Sequence, residues 1–149
     1  MTREQKYPDT STFHFHNQNP RNRYTEDCVV RALSLGTEIP YNDVVMELAK
    51  IACETGYSTC GDNCIIKFLE RHGWTKCKQP RKYDNTKYTG REFCEVLQNA
   101  THIPFDMINS ATQPIIANIG GGHIVCIKNG KVWDTWNSTR GCIGFYFTK

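Results

Sequence analysis

The stretch GGGHIVCIKNGKVWDTW, residues 120–136, decides the fold. Two short apolar runs, HIVCIK and KVWDTW, flank Asn129-Gly130, a dipeptide that favours the two-residue turn of a β-hairpin. β-branched and aromatic side chains are frequent in both runs, as is typical of strands. Such a turn places Lys128 opposite Lys131, so the residue numbers of each cross-strand pair add up to 259. The sequence therefore predicts a hairpin in a defined register.

This register brings two polar residues together. His123 lies opposite Trp136, and Asp134 lies opposite Val125. Side chains alternate between the two faces of a strand, so His123 and Asp134 become diagonal neighbours on one face. A carboxylate in that position can fix the tautomer of an imidazole and stabilise the imidazolium. We therefore expect a His–Asp pair shielded by Trp136, behind glycines 120–122 that leave the backbone open to a substrate.

The rest of the chain surrounds the hairpin with helices first and strands later. Apolar residues at helical spacing predict four helices. Short apolar runs rich in β-branched and aromatic residues predict two more strands. The helices are expected near 28–36, 40–56, 62–73 and 89–100, the strands at 114–120 and 143–147, and a basic loop at 75–88. The fold class is therefore α+β, with an N-terminal helical part followed by a C-terminal antiparallel β-sheet.

Length and composition predict one globular domain over residues 1–149. The 149 residues, 39% hydrophobic and 22% charged, are enough for a single buried core. Residues 1–23 are polar and are expected to form an extended N-terminal segment, with FHFH at 13–16 as a short strand at best. Neither a signal-peptide core nor a membrane-spanning run occurs in the sequence, so we expect a cytoplasmic protein without a membrane partner.

A second stretch, YTEDCVVRALS at 24–34, raises the question of what Cys28 does. Thr25, Glu26 and Asp27 can cap a helix that begins at the cysteine. Unpaired N–H groups and the helix dipole favour the thiolate there, which is what a nucleophile needs. A single cysteine is more often a packing residue. The chain order of Cys28, then His123, then Asp134 favours nucleophilic catalysis instead.

This arrangement resembles papain-like cysteine peptidases, in which an early helix carries the nucleophile and a following sheet carries His and then Asp or Asn. YTEDCVVRAL, together with HIVCIKNGKVWDTWNS, is more closely similar to small bacterial and phage proteins of that superfold. The resemblance implies that Cys28 is the nucleophile, His123 the general base and acid, and Asp134 the orienting residue. It also implies a papain-like fold and a peptide or protein as substrate.

The resemblance further concerns the oxyanion that forms during acyl transfer. The family places a Gln shortly before the cysteine, and this chain has Asn22 at the matching spacing of six residues. By resemblance Asn22 would donate to the oxyanion, together with the backbone N–H of Cys28. Val29 stands where the family usually has Trp. Hydrolysis of a peptide, isopeptide or other amide bond and transfer to an amine, as in an acyltransferase or transglutaminase, both remain open.

Two other functions compete with catalysis. Cys60 and Cys64 have a Cys-x3-Cys spacing, with further Cys and His residues nearby, which is one requirement of a structural zinc site. Cys64 and His72 nevertheless fall in a helical run rather than in tight turns, so we expect no metal and no other cofactor.

A binding module without catalysis is the third function. The loop at 75–88 interleaves basic residues with Tyr83 and Tyr88, a composition that suits nucleic acid or an acidic protein. A net charge of +3 and the absence of a nucleic-acid-binding motif argue for a solvated loop instead. We therefore expect no nucleic-acid partner.

Overall fold

Five helices and six strands make up the structure, a computed structural model that describes residues 1–149. The helices are α1 (Arg3–Lys6), α2 (Cys28–Thr37), α3 (Tyr41–Thr55), α4 (Asp62–Arg71) and α5 (Gly90–Asn99). The strands are β1 (Phe13–Phe15), β2 (Thr75–Cys77), β3 (Ile115–Ile119), β4 (His123–Lys128), β5 (Lys131–Asp134) and β6 (Ile143–Thr148). The predicted α+β class is confirmed.

All six strands form one mixed sheet in the order β1-β5-β4-β3-β6-β2. Strands β3 to β6 are antiparallel neighbours, as predicted. The expectation of a purely antiparallel C-terminal sheet is wrong, because β1 pairs in parallel with β5. Strand β2, from the stretch expected to be a loop, pairs with β6 at the other edge. These two short strands form hydrogen bonds with backbone N–H and C=O groups of β5 and β6 that would otherwise be unpaired at the edges of the sheet.

The N-terminal segment is less extended than predicted. Its first turn is the helix α1, which is closed by a capping box. The Thr2 hydroxyl accepts from the Gln5 N–H at 3.1 Å, and the Gln5 side chain accepts from the Thr2 N–H at 2.8 Å. A helix this short has no apolar periodicity by which it could be recognised.

The hairpin of β4 and β5 has the predicted register over its paired residues. Its pairs are Cys126–Trp133, Ile127–Val132 and Lys128–Lys131. The ladder ends there, so the predicted pairs of His123 with Trp136 and of Val125 with Asp134 are not formed. His123 pairs with Ile119 of β3, and Asp134 pairs with Phe15 of β1. The two strands therefore part at the end of the sheet that carries His123 and Asp134.

Helices cover both faces of the sheet. One face packs against α2, α3 and α4, and the sheet contributes Ile116, Ile124, Cys126 and Phe147 to this core. The opposite face packs against α5 through alternate residues such as Ile115, Ala117, Val125 and Ile127. This alternation follows the two-residue period of strands that are buried on both sides. The helix α2 is thereby held directly against the centre of the sheet.

Gly36 allows α2 to lie this close to the sheet. A Cβ at position 36 would stand 2.9 Å from Cδ1 of Ile116 and 3.6 Å from Sγ of Cys126. A side chain at position 36 would therefore require Ile116 to shift or α2 to move away from β3 and β4. None of the helices combines the length and the apolar character that a membrane span requires.

Candidate active site

Cys28 is the first residue of α2. Asp27 occupies the N-cap position, but its side chain makes no capping hydrogen bond, contrary to the expectation from the sequence. Its Oδ1 instead accepts from Nε of Arg31 at 2.8 Å. The first-turn N–H groups of α2 therefore keep their positive partial charge beside the thiol, because no side-chain oxygen neutralises it.

Cys28 and His123 line one open cavity of about 330 Å³, which we call the Cys28 cavity. The cavity lies where α2 meets the parted ends of β4 and β5. Arg3, Tyr24 and Glu26 also border it, together with Arg31, Thr135 and Trp136. The thiol is half-buried, so it is held by the fold and still reachable from solvent.

His123 binds Asp134 through Nε2, and this leaves the other ring nitrogen, Nδ1, free. Nε2 of His123 lies 2.5 Å from Oδ2 of Asp134, and only 2% of the Asp134 side chain is exposed. The Trp136 ring packs against the imidazole, with 4.9 Å between ring centroids. Nδ1 is consequently the nitrogen that can exchange a proton with a group in the Cys28 cavity.

Asp134 has two further partners, which hold its carboxylate in place. Its Oδ1 accepts from Nη1 of Arg31 at 2.6 Å and from the backbone N–H of Thr135 at 2.7 Å. Arg31 is itself buried, with 8% of its surface exposed. The carboxylate is therefore fully hydrogen-bonded and paired, as a charge this deep in the protein requires.

Arg31 also connects Asp134 to a partly buried cluster around Asp27. Its Nε binds Asp27, whose other oxygen accepts from the Tyr41 hydroxyl at 2.7 Å and from Nδ2 of Asn19 at 3.0 Å. Burial would raise the pKa of Asp27, but these partners outweigh it and lower that pKa. Burial and Asp27 together raise the pKa of Tyr41 to about 12.

The site favours a thiolate–imidazolium pair. Burial would raise the pKa of Cys28, but the side chain and charge of His123, the Ile124 N–H and the charge of Arg31 lower it overall. For His123, burial is outweighed by the carboxylate of Asp134 and by Cys28, which raise its pKa to about 9. Burial of Asp134 is outweighed by His123 and Arg31, which lower its pKa. The imidazolium of His123 thus stabilises the thiolate of Cys28 and is itself stabilised by the carboxylate of Asp134.

Asn22 lies elsewhere. It is exposed, adopts a left-handed backbone conformation with φ of 53°, and does not line the Cys28 cavity. Its Oδ1 accepts from Nδ2 of Asn17 at 3.3 Å. The spacing of six residues does not bring Asn22 to the thiol, because the chain turns at this point. The structure thus brings Cys28, His123 and Asp134 together and leaves Asn22 out.

Several residues of the site were not predicted from the sequence. Asp27 and Arg31 had a readable signal, since an acidic and a basic residue four apart share one side of a helix. The hydrogen bond from Arg31 to Asp134 had no such signal in the sequence, because it joins positions 103 residues apart. The positions of Arg3 and Tyr24 depend on the path of the N-terminal segment, which no local pattern specifies.

The candidate zinc ligands have other partners. Cys64 is buried and donates to the Leu48 carbonyl, and Nε2 of His72 binds Glu47 at 2.7 Å. Cys60 is exposed, and all eight cysteines are free. Nowhere do three or more His, Cys, Asp or Glu side chains converge in a way that could hold a metal ion.

Comparison of this chain with protein-family models, with curated proteins and with solved structures finds no match. A functional assignment therefore has to rest on the geometry and electrostatics of the Cys28 cavity.

Proposed function

We propose that the protein is a papain-like thiol hydrolase that cleaves a peptide, isopeptide or other amide bond through a thioester on Cys28. The observation that carries this proposal is that Cys28 and His123 line one cavity and that His123 is bound to Asp134, while the pKa of the thiol is lowered and that of the imidazole is raised to about 9. The lowered thiol pKa favours the nucleophilic thiolate, and the raised imidazole pKa leaves His123 protonated as a general acid near neutral pH.

The chemistry follows from these protonation states. The Cys28 thiolate attacks the carbonyl carbon of the amide, and a tetrahedral oxyanion forms. The C–N bond then breaks as His123 donates its proton to the departing amine, which leaves a thioester and a neutral imidazole. His123 next takes a proton from water, the resulting hydroxide attacks the thioester, and the acid and free Cys28 are released.

Asp134 contributes by holding His123 rather than by accepting its proton. Its own pKa is lowered, so it stays ionised while the imidazole gains and loses a proton. The bond to Nε2 keeps Nδ1 directed away from the carboxylate and free for the transfer. Arg31 and the Thr135 N–H keep the carboxylate from turning.

The start of α2 supports stabilisation of the oxyanion. The first turn of the helix has no side-chain cap, so the N–H of Cys28 and the positive end of the helix are free to face the developing charge. Asn22 does not take part in this proposal, since it lies outside the cavity.

Alkylation by iodoacetamide near neutral pH, with mass-spectrometric mapping of each cysteine, tests the proposal. Cys53, Cys60 and Cys142 are exposed and serve as internal controls for accessibility. We expect half-buried Cys28 to react at least about tenfold faster than these three, because the thiolate is the reactive form. His123→Ala should slow Cys28 and leave the control cysteines unchanged. Labelling of Cys28 at or below the rate of the exposed cysteines would falsify the proposal.

Hydrolysis itself is tested with a peptide library and mass spectrometry of the products. Cleavage in water enriched in oxygen-18 should introduce the label into the new carboxyl group, since water resolves the thioester. Cys28→Ala must abolish cleavage. Cleavage that persists in Cys28→Ala would assign the activity to another group.

A further inference from the structure

Arg3 is a cation of the Cys28 cavity that no acidic side chain neutralises. The other arginine of the cavity, Arg31, is paired with Asp27 and Asp134. Arg3 lines the cavity and takes part in none of the ion pairs of the protein. A positive charge is therefore available to a bound molecule beside Cys28.

The position of Arg3 is fixed by its place in a capped helix and by two contacts of its side chain. It lies in α1, whose capping box defines the helix start. Nε of Arg3 donates to the carbonyl of Thr135 at 2.7 Å, directly after Asp134 in the chain. Its guanidinium carbon lies 5.0 Å from the centroid of the Tyr24 ring. The two Nη groups donate to no protein acceptor, so the unoccupied side of the guanidinium is held ready for a ligand.

We infer that Arg3 determines specificity by binding a carboxylate of the substrate next to the bond that Cys28 attacks. This inference rests on the proposed function. A guanidinium with two free Nη groups matches the planar carboxylate group and can bind it through two parallel hydrogen bonds. The imidazolium of His123 is paired with the thiolate of Cys28 and with Asp134, so Arg3 is the cation of the cavity that remains for a substrate carboxylate. The carboxylate belongs either to an acidic side chain or to a free chain end of the substrate.

Glu26 is the only acidic residue that lines the Cys28 cavity. It is exposed and forms no ion pair with Arg3. Its charge opposes the binding of a carboxylate, so Glu26→Gln should change the preference in the direction opposite to that of an Arg3 substitution. The two variants together separate the effect of charge from the effect of a disturbed structure.

The test compares the alkylation of Cys28 by iodoacetate, which carries a carboxylate, with that by neutral iodoacetamide. Both reagents react with the same thiolate by the same displacement, so the ratio of their rates is independent of the thiol pKa. We expect Arg3→Gln to lower the iodoacetate-to-iodoacetamide ratio about fivefold, as befits a partly exposed ion pair. Lys6→Gln, in the same helix but outside the cavity, should leave the ratio unchanged. Glu26→Gln should raise it.

An unchanged ratio in Arg3→Gln, or an equal decrease in Lys6→Gln, overturns the inference. Failure of the proposed function would show in a different measurement, the absolute rate at which iodoacetamide alkylates Cys28. The ratio can be measured even if Cys28 reacts slowly. The inference and the proposed function are therefore tested separately by one set of reactions.

Two matched pairs of peptides then identify the source of the carboxylate. One pair differs by Glu against Gln near the cleaved bond, and the other by a free carboxyl against a carboxamide at the chain end. We expect wild-type protein to prefer the acid of one pair, and Arg3→Gln to lose that preference. Equal cleavage within both pairs by the wild type overturns the inference.

Discussion

Arg31 donates a hydrogen bond of 2.6 Å from Nη1 to Oδ1 of Asp134. The arginine lies one turn beyond Cys28 on α2, and the carboxylate binds Nε2 of His123 through its other oxygen. This bond joins the helix that carries the thiol to the sheet that carries the imidazole. Because both side chains are buried, it also fixes how far α2 lies from the ends of β4 and β5.

Replacing Arg31 by Met should strongly destabilise the protein. The change leaves Asp27 buried without its cation and Asp134 with His123 alone, and breaking a buried pair from one side costs about 3–5 kcal/mol. Denaturant unfolding measures the loss. Arg31→Lys keeps the positive charge but lacks the planar guanidinium, whose Nε and Nη1 bind the two carboxylates. The stability of this variant should therefore lie between those of the wild type and Arg31→Met.

Arg71→Met is the matched control. Arg71 binds Glu54 at 3.0 Å, but both side chains are more than 40% exposed. Its replacement should change the free energy of unfolding by less than about 1 kcal/mol. Equal effects at positions 31 and 71 would contradict the role assigned to Arg31. A positioning role further requires that Cys28 alkylation in folded Arg31→Lys be slower than in the wild type.

Asp134→Asn should remove the charge of the carboxylate while it keeps the shape of the side chain beside His123. Asparagine fits the same space and can still contact His123, but the negative charge that raises the imidazole pKa to about 9 is gone. The pKa of His123 should therefore fall, and the thiolate of Cys28 should lose the imidazolium that stabilises it. Titration of His123 by NMR and the pH dependence of Cys28 alkylation measure the two effects. An unchanged His123 pKa is the contradicting outcome.

The free energy of unfolding should depend on pH through the titration of His123. Its folded pKa of about 9 lies above the ordinary value of 6.5, so its stabilisation is fully present below pH 6.5 and is lost as the pH rises through about 9. Asp27 and Asp134 have lowered pKa values, so their stabilisation is present above pH 3.8 and is lost on further acidification.

The measurement is best made in Cys28→Ser, because this background removes the coupled titration of the thiol. The free energy of unfolding of Cys28→Ser should exceed that of Cys28→Ser/His123→Gln at pH 6. The difference should shrink as the pH rises, because folding no longer gains from protonation of the imidazole. A difference that grows with pH would show that His123 is neutral in the folded protein.

Local features of the sequence were enough to predict two separate parts of the candidate site, the hairpin that carries His123 and the helix that begins at Cys28. Asn129-Gly130 fixes a two-residue turn, and that turn sets the register that brings His123 near Asp134. Helix periodicity places Cys28 at the start of α2. Within each part the interacting positions are close in the chain, so a spacing rule determines the local geometry, whereas the approach of Cys28 to His123 needs the packing of α2 on the sheet.

The parts that were missed depend on distant partners. Strand β2 was expected to be part of a loop, and the short strand offered at 13–16, observed as β1, was not expected to pair in parallel; both are three residues long and pair with β6 and β5, which lie far along the chain. The bond from Arg31 to Asp134 likewise needs the packing of α2 on the sheet before it can form. The prediction for Asn22 assumed the upstream path seen in the resembled family, whereas here the chain turns at Asn22 itself.

Tyr41→Phe should weaken the partly buried cluster around Asp27 without disabling the thiol. The hydroxyl donates to Oδ2 of Asp27 at 2.7 Å, and a hydrogen bond to a charged group contributes about 1.5–3 kcal/mol. We expect a loss of stability in that range, measured by denaturant unfolding. Cys28 alkylation should change less than about twofold, because Arg31 still binds both carboxylates.

The exposed Tyr83 provides the matched control, since its side chain is fully accessible to solvent. Tyr83→Phe should leave stability unchanged. A spectroscopic titration adds a second readout, because the phenol of Tyr41 ionises at about pH 12, and this step should disappear in Tyr41→Phe alone. If Tyr41→Phe is as stable as Tyr83→Phe, the Tyr41–Asp27 bond does not hold Asp27, and the alignment of Arg31 then depends on Asn19 and Asp134 instead.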